Sequence, residues 1–495
     1  MLSLHHPTLR RGKDIQALDS WFQPNSSRTE PRIVSPYLPH RPPDHPVPYP
    51  TPPGNSSPRS SIDILPPELL GQIFLSCIST EGRPWRDNRS MTLTHVCIRW
   101  RALSLSLSDL WSTIMLTGGC CTSTKLNRYL QMWLERSRGR PLKIFLPHNA
   151  HNSMIYPIIS NIHRCDELII DLSSDDMALA ALHIPFAHAT LLHTLAIGTA
   201  NCRPDILDQV CALACSAPNM RQLSWEDHRY FIPGVLLNYP WCQLSHIIIA
   251  GRLSLEQFYL LQRSPNLEHI EVGLDLAPSL ATPSPIKHPK LSSLNVHTHR
   301  SDLSAFLDIL TLPSLQILHL HSRSKPESPR VHTALENMLA RSGCKLEALT
   351  LDFALERDIV ACITCPSLRF LREVCLNCCD KIGHATVERL FLPPESSTGY
   401  ITILPRLSKL SLSGCLTTDG MLAEMVVSRW RRPAFQQDGL IVQPVRLSFV
   451  SINFWRYSEP GRHTQEHDID NEVFKALIKE GLDIRRLWIF RLLPL

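Results

Sequence analysis

The sequence has little of what marks an enzyme. Glycine is scarce, at 19 of 495 residues. No Gly-x-Gly-x-x-Gly turn occurs, and no phosphate loop ending in Gly-Lys-Ser/Thr, so the common nucleotide-binding frames are missing. Gly-x-Ser-x-Gly and His-Glu-x-x-His are missing too, which removes the usual esterase and zinc-protease signatures. An excess of one charge is also lacking. The 50 basic and 45 acidic side chains leave a formal charge of +5, too near balance to imply a nucleic-acid or membrane partner. No apolar run approaches the ~18 residues that a membrane span needs. The first residues, with Arg10, Arg11, Lys13, Asp14 and Asp19, hold no apolar stretch of the kind that a secretory signal carries. The expected location is therefore cytoplasmic and/or nuclear, with the 16 cysteines mostly free thiols.

What is present falls into three kinds of sequence. Apolar residues make up 43% of the chain, enough for a sizeable core. Twelve of the 40 prolines fall between Pro24 and Pro58. Proline removes backbone donors and restricts its neighbour, so residues 1–61 read as a disordered, partly polyproline-II leader.

Residues 62–116 read as a small helical unit. Leu65-Pro66-Pro67-Glu68-Leu69-Leu70 opens a helix with proline in its first turn. Leu69, Leu70, Ile73, Phe74 and Cys77 follow at helical spacing. After a polar stretch from Glu81 to Ser90, one further helix is expected to carry Leu93, Val96, Cys97, Trp100 and Leu103 on a single face, and Leu110-Trp111 closes the unit. So short a segment cannot bury all these side chains internally, so some should meet a partner.

From about residue 140 the pattern Leu-x-x-Leu-x-Leu recurs, as in Leu267/Ile270/Val272, Leu315/Leu318/Leu320 and Leu407/Leu410/Leu412. Two weaker copies, Val442/Val445/Leu447 and Ile484/Leu487/Ile489, are expected to close the series. Helical spacing separates the strands, as at Leu303, Phe306, Leu307 and Leu310, or behind the reciprocal cap Ser254-x-x-Gln257. Several successive copies are ~24 residues apart, shorter than the ~30 that a doubly wound strand–helix crossover needs. The predicted class is α/β, with parallel strands stacked from residue 140 to 490.

Two families are resembled. Leu65, Pro66, Glu68, Leu69, Leu70, Ile73 and Phe74, then Val96, Cys97, Trp100 and Arg101, then Leu110 and Trp111 resemble the F-box in its fungal form. The strand–helix series resembles leucine-rich repeats, and the cysteines at 379 and 415 resemble their cysteine-containing subtype. The resemblance implies a small all-α F-box followed by a curved leucine-rich-repeat solenoid. It further implies the substrate-recognition subunit of an SCF-type cullin ubiquitin ligase, without chemistry of its own. Leu65, Pro66, Glu68, Leu69, Ile73, Phe74, Val96, Trp100, Leu110 and Trp111 would then bind a Skp-type adaptor. Two other readings stay open: an F-box protein working with the adaptor outside any ligase, and a plain repeat scaffold whose helical unit caps the solenoid.

Strand alternation gives the expected target-binding face. The residue between the last two apolar positions and the residue after them form two columns. These columns hold Glu226, Glu271, His297, His319, His321 and Asp352. Cys362-x-x-Cys365 and Cys375-x-x-Cys378 have zinc-like spacing. The repeat register accounts for them better as small packing groups, so no metal and no cofactor are expected.

Overall fold

The computed structural model describes residues 61–78, 89–116, 123–147, 150–227, 243–275, 285–298, 303–322, 330–392, 403–431, 435–437, 440–442, 445–457 and 467–491, with isolated positions between them. The proline-rich leader before residue 61 and most of the polar stretch after Glu81 lie outside these residues. The chain divides into two compact units, Met1–Arg140 and Pro141–Leu495.

The first unit is built on helices α1 (Pro67–Ile78), α2 (Arg89–Val96), α3 (Ile98–Ser106) and α4 (Ser123–Arg136). Pro67 starts α1, where its missing donor costs nothing, and Glu68 follows in the first turn near the positive end of the helix dipole. The single helix expected after the polar stretch is two helices. Cys97 is extended, with φ −156° and ψ 171°, and its Sγ accepts from the Trp100 backbone N–H at 3.4 Å, capping α3. A residue that caps cannot also be helical, which is why the run breaks there. The core is formed by Leu70, Phe74, Leu110, Trp111 and Leu130, all essentially inaccessible. Trp111 donates from Nε1 to the Ser104 carbonyl at 2.8 Å. Its ring meets Trp133 of α4 edge-on at 5.1 Å, and the Arg136 guanidinium lies 4.4 Å from its centroid.

The second unit is α/β, dominated by one long parallel sheet. Its strands are β1 (Leu142–Leu146), β2 (Cys165–Leu172), β3 (Thr194–Thr199), β4 (Gln222–Asp227), β5 (His246–Leu253), β6 (His269–Leu274) and β7 (Ser293–Thr298). They continue with β8 (Ile317–Ser322), β9 (Ala348–Phe353), β10 (Glu373–Ile382), β11 (Lys409–Cys415), β12 (Phe449–Tyr457) and β13 (Asp483–Arg491). Strand order follows chain order throughout, with no reversal of the kind that a doubly wound sheet has. The apolar positions align across the strands. Leu168, Leu195 and Leu223 form one row with Ile247, Ile270 and Leu294, and the row continues through Leu318, Leu349, Val374 and Leu410 to Val450. Every member is buried, so the repeated spacing in sequence becomes one continuous apolar layer.

Three register expectations shift, one of them at Ile484, which pairs with Val450 and so takes the second position of its triplet and not the first. Leu440–Val442 belongs to a small antiparallel ribbon with Phe435–Gln437, and Val445 is exposed. The buried triplet that feeds β12 is instead Leu447/Val450/Ile452. The apolar run Leu440-Ile441-Val442 competes for the same pattern and hides the true frame. The alignment of Cys379 with Cys415 also fails. A bulge between Asn377 and Ile382 places Ile382 opposite Cys415.

Helices on the other side of the sheet are joined across repeats. Ser254 and Gln257 form the expected reciprocal cap. Glu356 Oε1 accepts from Gly383 N at 2.8 Å and from Thr386 N at 3.0 Å, capping the next helix, His384–Leu390, from outside. The buried Arg429 guanidinium donates to the carbonyls of Leu390, Ile403 and Leu404.

Candidate interaction surfaces

In the first unit the helical spacing of α1 splits into two faces. Leu70 and Phe74, four residues apart, point inward. Leu69 and Ile73, one position earlier in each turn, point to solvent. Val96 and Ile98, on either side of the α2–α3 break, are exposed by 55% and 87%, and Ile64 before α1 by 72%. Pro66 and Glu68 are also exposed, while Leu65 and Trp100 are half-buried. Trp100 packs on Phe74 with ring centroids 4.8 Å apart. Phe74, Leu110 and Trp111 are core residues, so they shape any binding face from beneath and do not contribute to its surface. Sequence spacing marked the apolar positions but missed Ile64 and Ile98. Their signal was the density of large apolar groups in a short unit.

In the second unit, register brings four of the six expected target-binding residues into one continuous chain. Glu271 on β6, His297 on β7, His321 on β8 and Asp352 on β9 occupy neighbouring strands. Glu271 Oε1 lies 3.7 Å from His297 Nε2. The rings of His297 and His321 stack at 4.2 Å, with 11° between their planes. His321 Nδ1 then meets Asp352 Oδ2 at 3.4 Å. His319 lies on the same strand, two residues earlier, opposite Asn295 and Thr350. Glu226, on β4, lies beyond β5 and outside this chain.

The electrostatics of the chain follow from burial. Desolvation holds the His321 imidazole below its ordinary pKa, against the pull of Asp352, and its neighbour His297 adds to the lowering. For Glu271, desolvation pushes the carboxyl up, but hydrogen bonding and charge from His297, with His269 and Asn295, outweigh it and leave the carboxyl below the usual range. The chain therefore links two carboxylates, with Asp352 buried, through a stacked pair of histidine rings.

Two of the thiols in the zinc-like spacings donate to backbone carbonyls. Cys365 Sγ donates to the His332 carbonyl at 3.6 Å, and Cys378 Sγ to the Ala354 carbonyl at 3.6 Å. Burial pushes Cys365 up to about 12 and raises Cys362 well above the thiol range. Among the described residues, one group has metal-like proximity: Asp419, His467 and Asp470, with ligand atoms within 4.8 Å of one another. Its oxygens are already used. Asp419 accepts from the N–H groups of Ile469 and Asp470. Asp470 accepts from Ala423 N at 2.7 Å and shares a 2.8 Å hydrogen bond with His467 Nδ1. The group clamps the start of helix Asp468–Lys479 to helix Met421–Trp430. Among the described residues, no helix is long and apolar enough to cross a membrane.

No known family model matches the sequence, and no curated protein is significantly similar to it.

Proposed function

We propose that the protein is the substrate-recognition subunit of an SCF-type cullin ubiquitin ligase. In this reading the first unit is an F-box that docks on a Skp-type adaptor. The second unit is a leucine-rich-repeat solenoid that holds a target protein, and the protein promotes ubiquitination by positioning that target. The observation that carries the reading is the apolar surface of the first unit. Leu69, Ile73, Val96 and Ile98 are exposed, in a helical unit whose ordered residues run in F-box order from Leu65 to Trp111. Exposed groups of this size cost solubility unless a partner covers them. The polar chain from Glu271 to Asp352 supports a recognition role for the sheet face.

The test is adaptor capture by the full chain carrying Leu69→Asp and Ile73→Asp. Both positions face solvent, so the fold should survive. Each anchor lost from an interface centre costs on the order of 2 kcal/mol or more, so the double variant should lose adaptor and cullin together. Undiminished capture sinks the assignment. Capture of adaptor by the wild type without any cullin would replace it with a role outside the ligase.

A further inference from the structure

The leading edge of the sheet in the later repeats gathers positive charge around one aromatic ring. Lys345, Phe370, Arg406 and Arg446 each lie three residues before Ala348, Glu373, Lys409 and Phe449, which are paired neighbours on β9, β10, β11 and β12. They therefore occupy one row across four repeats. Phe370 is half-exposed, and Lys345, Arg369, Arg406 and Arg446 are all exposed. Three of the cations lie over the ring: Arg369 at 4.9 Å, Arg406 at 5.4 Å and Lys345 at 5.8 Å from its centroid. The ring quadrupole attracts each of them, but it cannot neutralise their mutual repulsion. Lys409 is paired with Glu373 at 3.2 Å. Among the described residues, Lys345, Arg369 and Arg406 form no ion pair with any carboxylate.

We infer that this row is a docking site for an acidic, Asp/Glu-rich segment of a partner protein, built from none of the residues of the two surfaces described above. Spread decides between carboxylates and a phosphate. Neighbouring strands are ~4.8 Å apart, so the row spans ~14 Å from Lys345 to Arg446. One doubly charged phosphate would reach only part of it. Several single charges along an extended segment would meet all of it. Two features disfavour nucleic acid. The ring that could stack a base is covered by the three cations, and the exposed Glu347 and the edge carboxylate Glu373 flank the row, two and three residues after Lys345 and Phe370. A peptide can donate backbone N–H groups to those carboxylates, whereas a phosphate backbone cannot.

The test uses the full chain and a fluorescent unphosphorylated peptide in which Asp and Glu alternate with Ser, read by anisotropy. Arg369→Glu with Arg406→Glu should weaken binding by about tenfold or more, and Lys345→Glu should weaken it independently. Raising salt should weaken the wild type in the same direction. Leu69→Asp with Ile73→Asp should leave it unchanged, so failure here and failure of the adaptor assignment are distinguishable. The inference is overturned if the wild type does not bind the peptide, or if it binds no better than the reversal variants. It is equally overturned if a single-stranded RNA, or a neutral peptide carrying one phosphoserine, binds more tightly than the acidic peptide.

Discussion

His321 shows how one buried side chain ties stability to pH. Burial lowers its pKa in the folded protein below the unfolded value. Between those two values the unfolded chain holds the extra proton, so folding stability is complete above about pH 6.5 and falls as the pH drops below it. Glu271 acts in the same direction in a lower window. Its depressed carboxyl favours the fold above the ordinary glutamate range and loses that contribution under stronger acid. Melting temperature measured from pH 8 to pH 5 should therefore decline first through the histidine range, and His321→Gln should flatten that first step. An unchanged slope in the variant would mean that other groups carry the dependence. Once the pH falls far enough below the ordinary histidine range to protonate His321 in the fold, positive charge stands between Glu271 and Asp352, so a cationic ligand on this face should then bind more weakly than at pH 8.

At the scale of elements, adjacent repeats are joined by side chains that satisfy backbone groups of the preceding or following turn. Arg429, near the end of helix Met421–Trp430, serves carbonyls at Leu390, Ile403 and Leu404. Arg341, near the end of helix Val331–Ser342, reaches Leu307 and Leu310 in the same way. Arg429→Met keeps much of the stem but leaves buried carbonyls without their donor. It should cost about 3 kcal/mol, read by chemical denaturation. A loss under 1 kcal/mol would show that water replaces the guanidinium. Neither clamp could be read from sequence, because an arginine near a helix end looks like an ordinary solvated charge. The apolar frame was legible, because a period-two pattern repeated at a near-constant interval leaves little freedom in register. It failed where Leu440-Ile441-Val442 offered a rival apolar run, and at the bulge after Asn377. Helix α4 was missed although Leu126, Leu130, Trp133 and Leu134 have helical spacing. It lies between the short helical unit and the first repeat strand and belongs to neither pattern. In the candidate site, alternation put His297 and His321 in one column, but only the register could show that their rings stack.

For the whole second unit, the defining fact is that each strand from β1 to β13 pairs within the long sheet only with the strands before and after it in that order. Energetic effects should therefore stay local. Leu410→Ala removes a fully buried side chain and should cost about 2–5 kcal/mol. Amide hydrogen exchange should rise in β10, β11 and β12 and remain near wild type in β2 to β5. Uniform acceleration across the sheet would mean that the repeats unfold as a single block. The same arrangement bears on how the chain matures. As β8 leaves the ribosome, its upstream partner β7 has already emerged, and no distant segment is awaited before the pair can close. The sheet can thus assemble one rung at a time during translation, with a single growing edge open to misassociation at any moment.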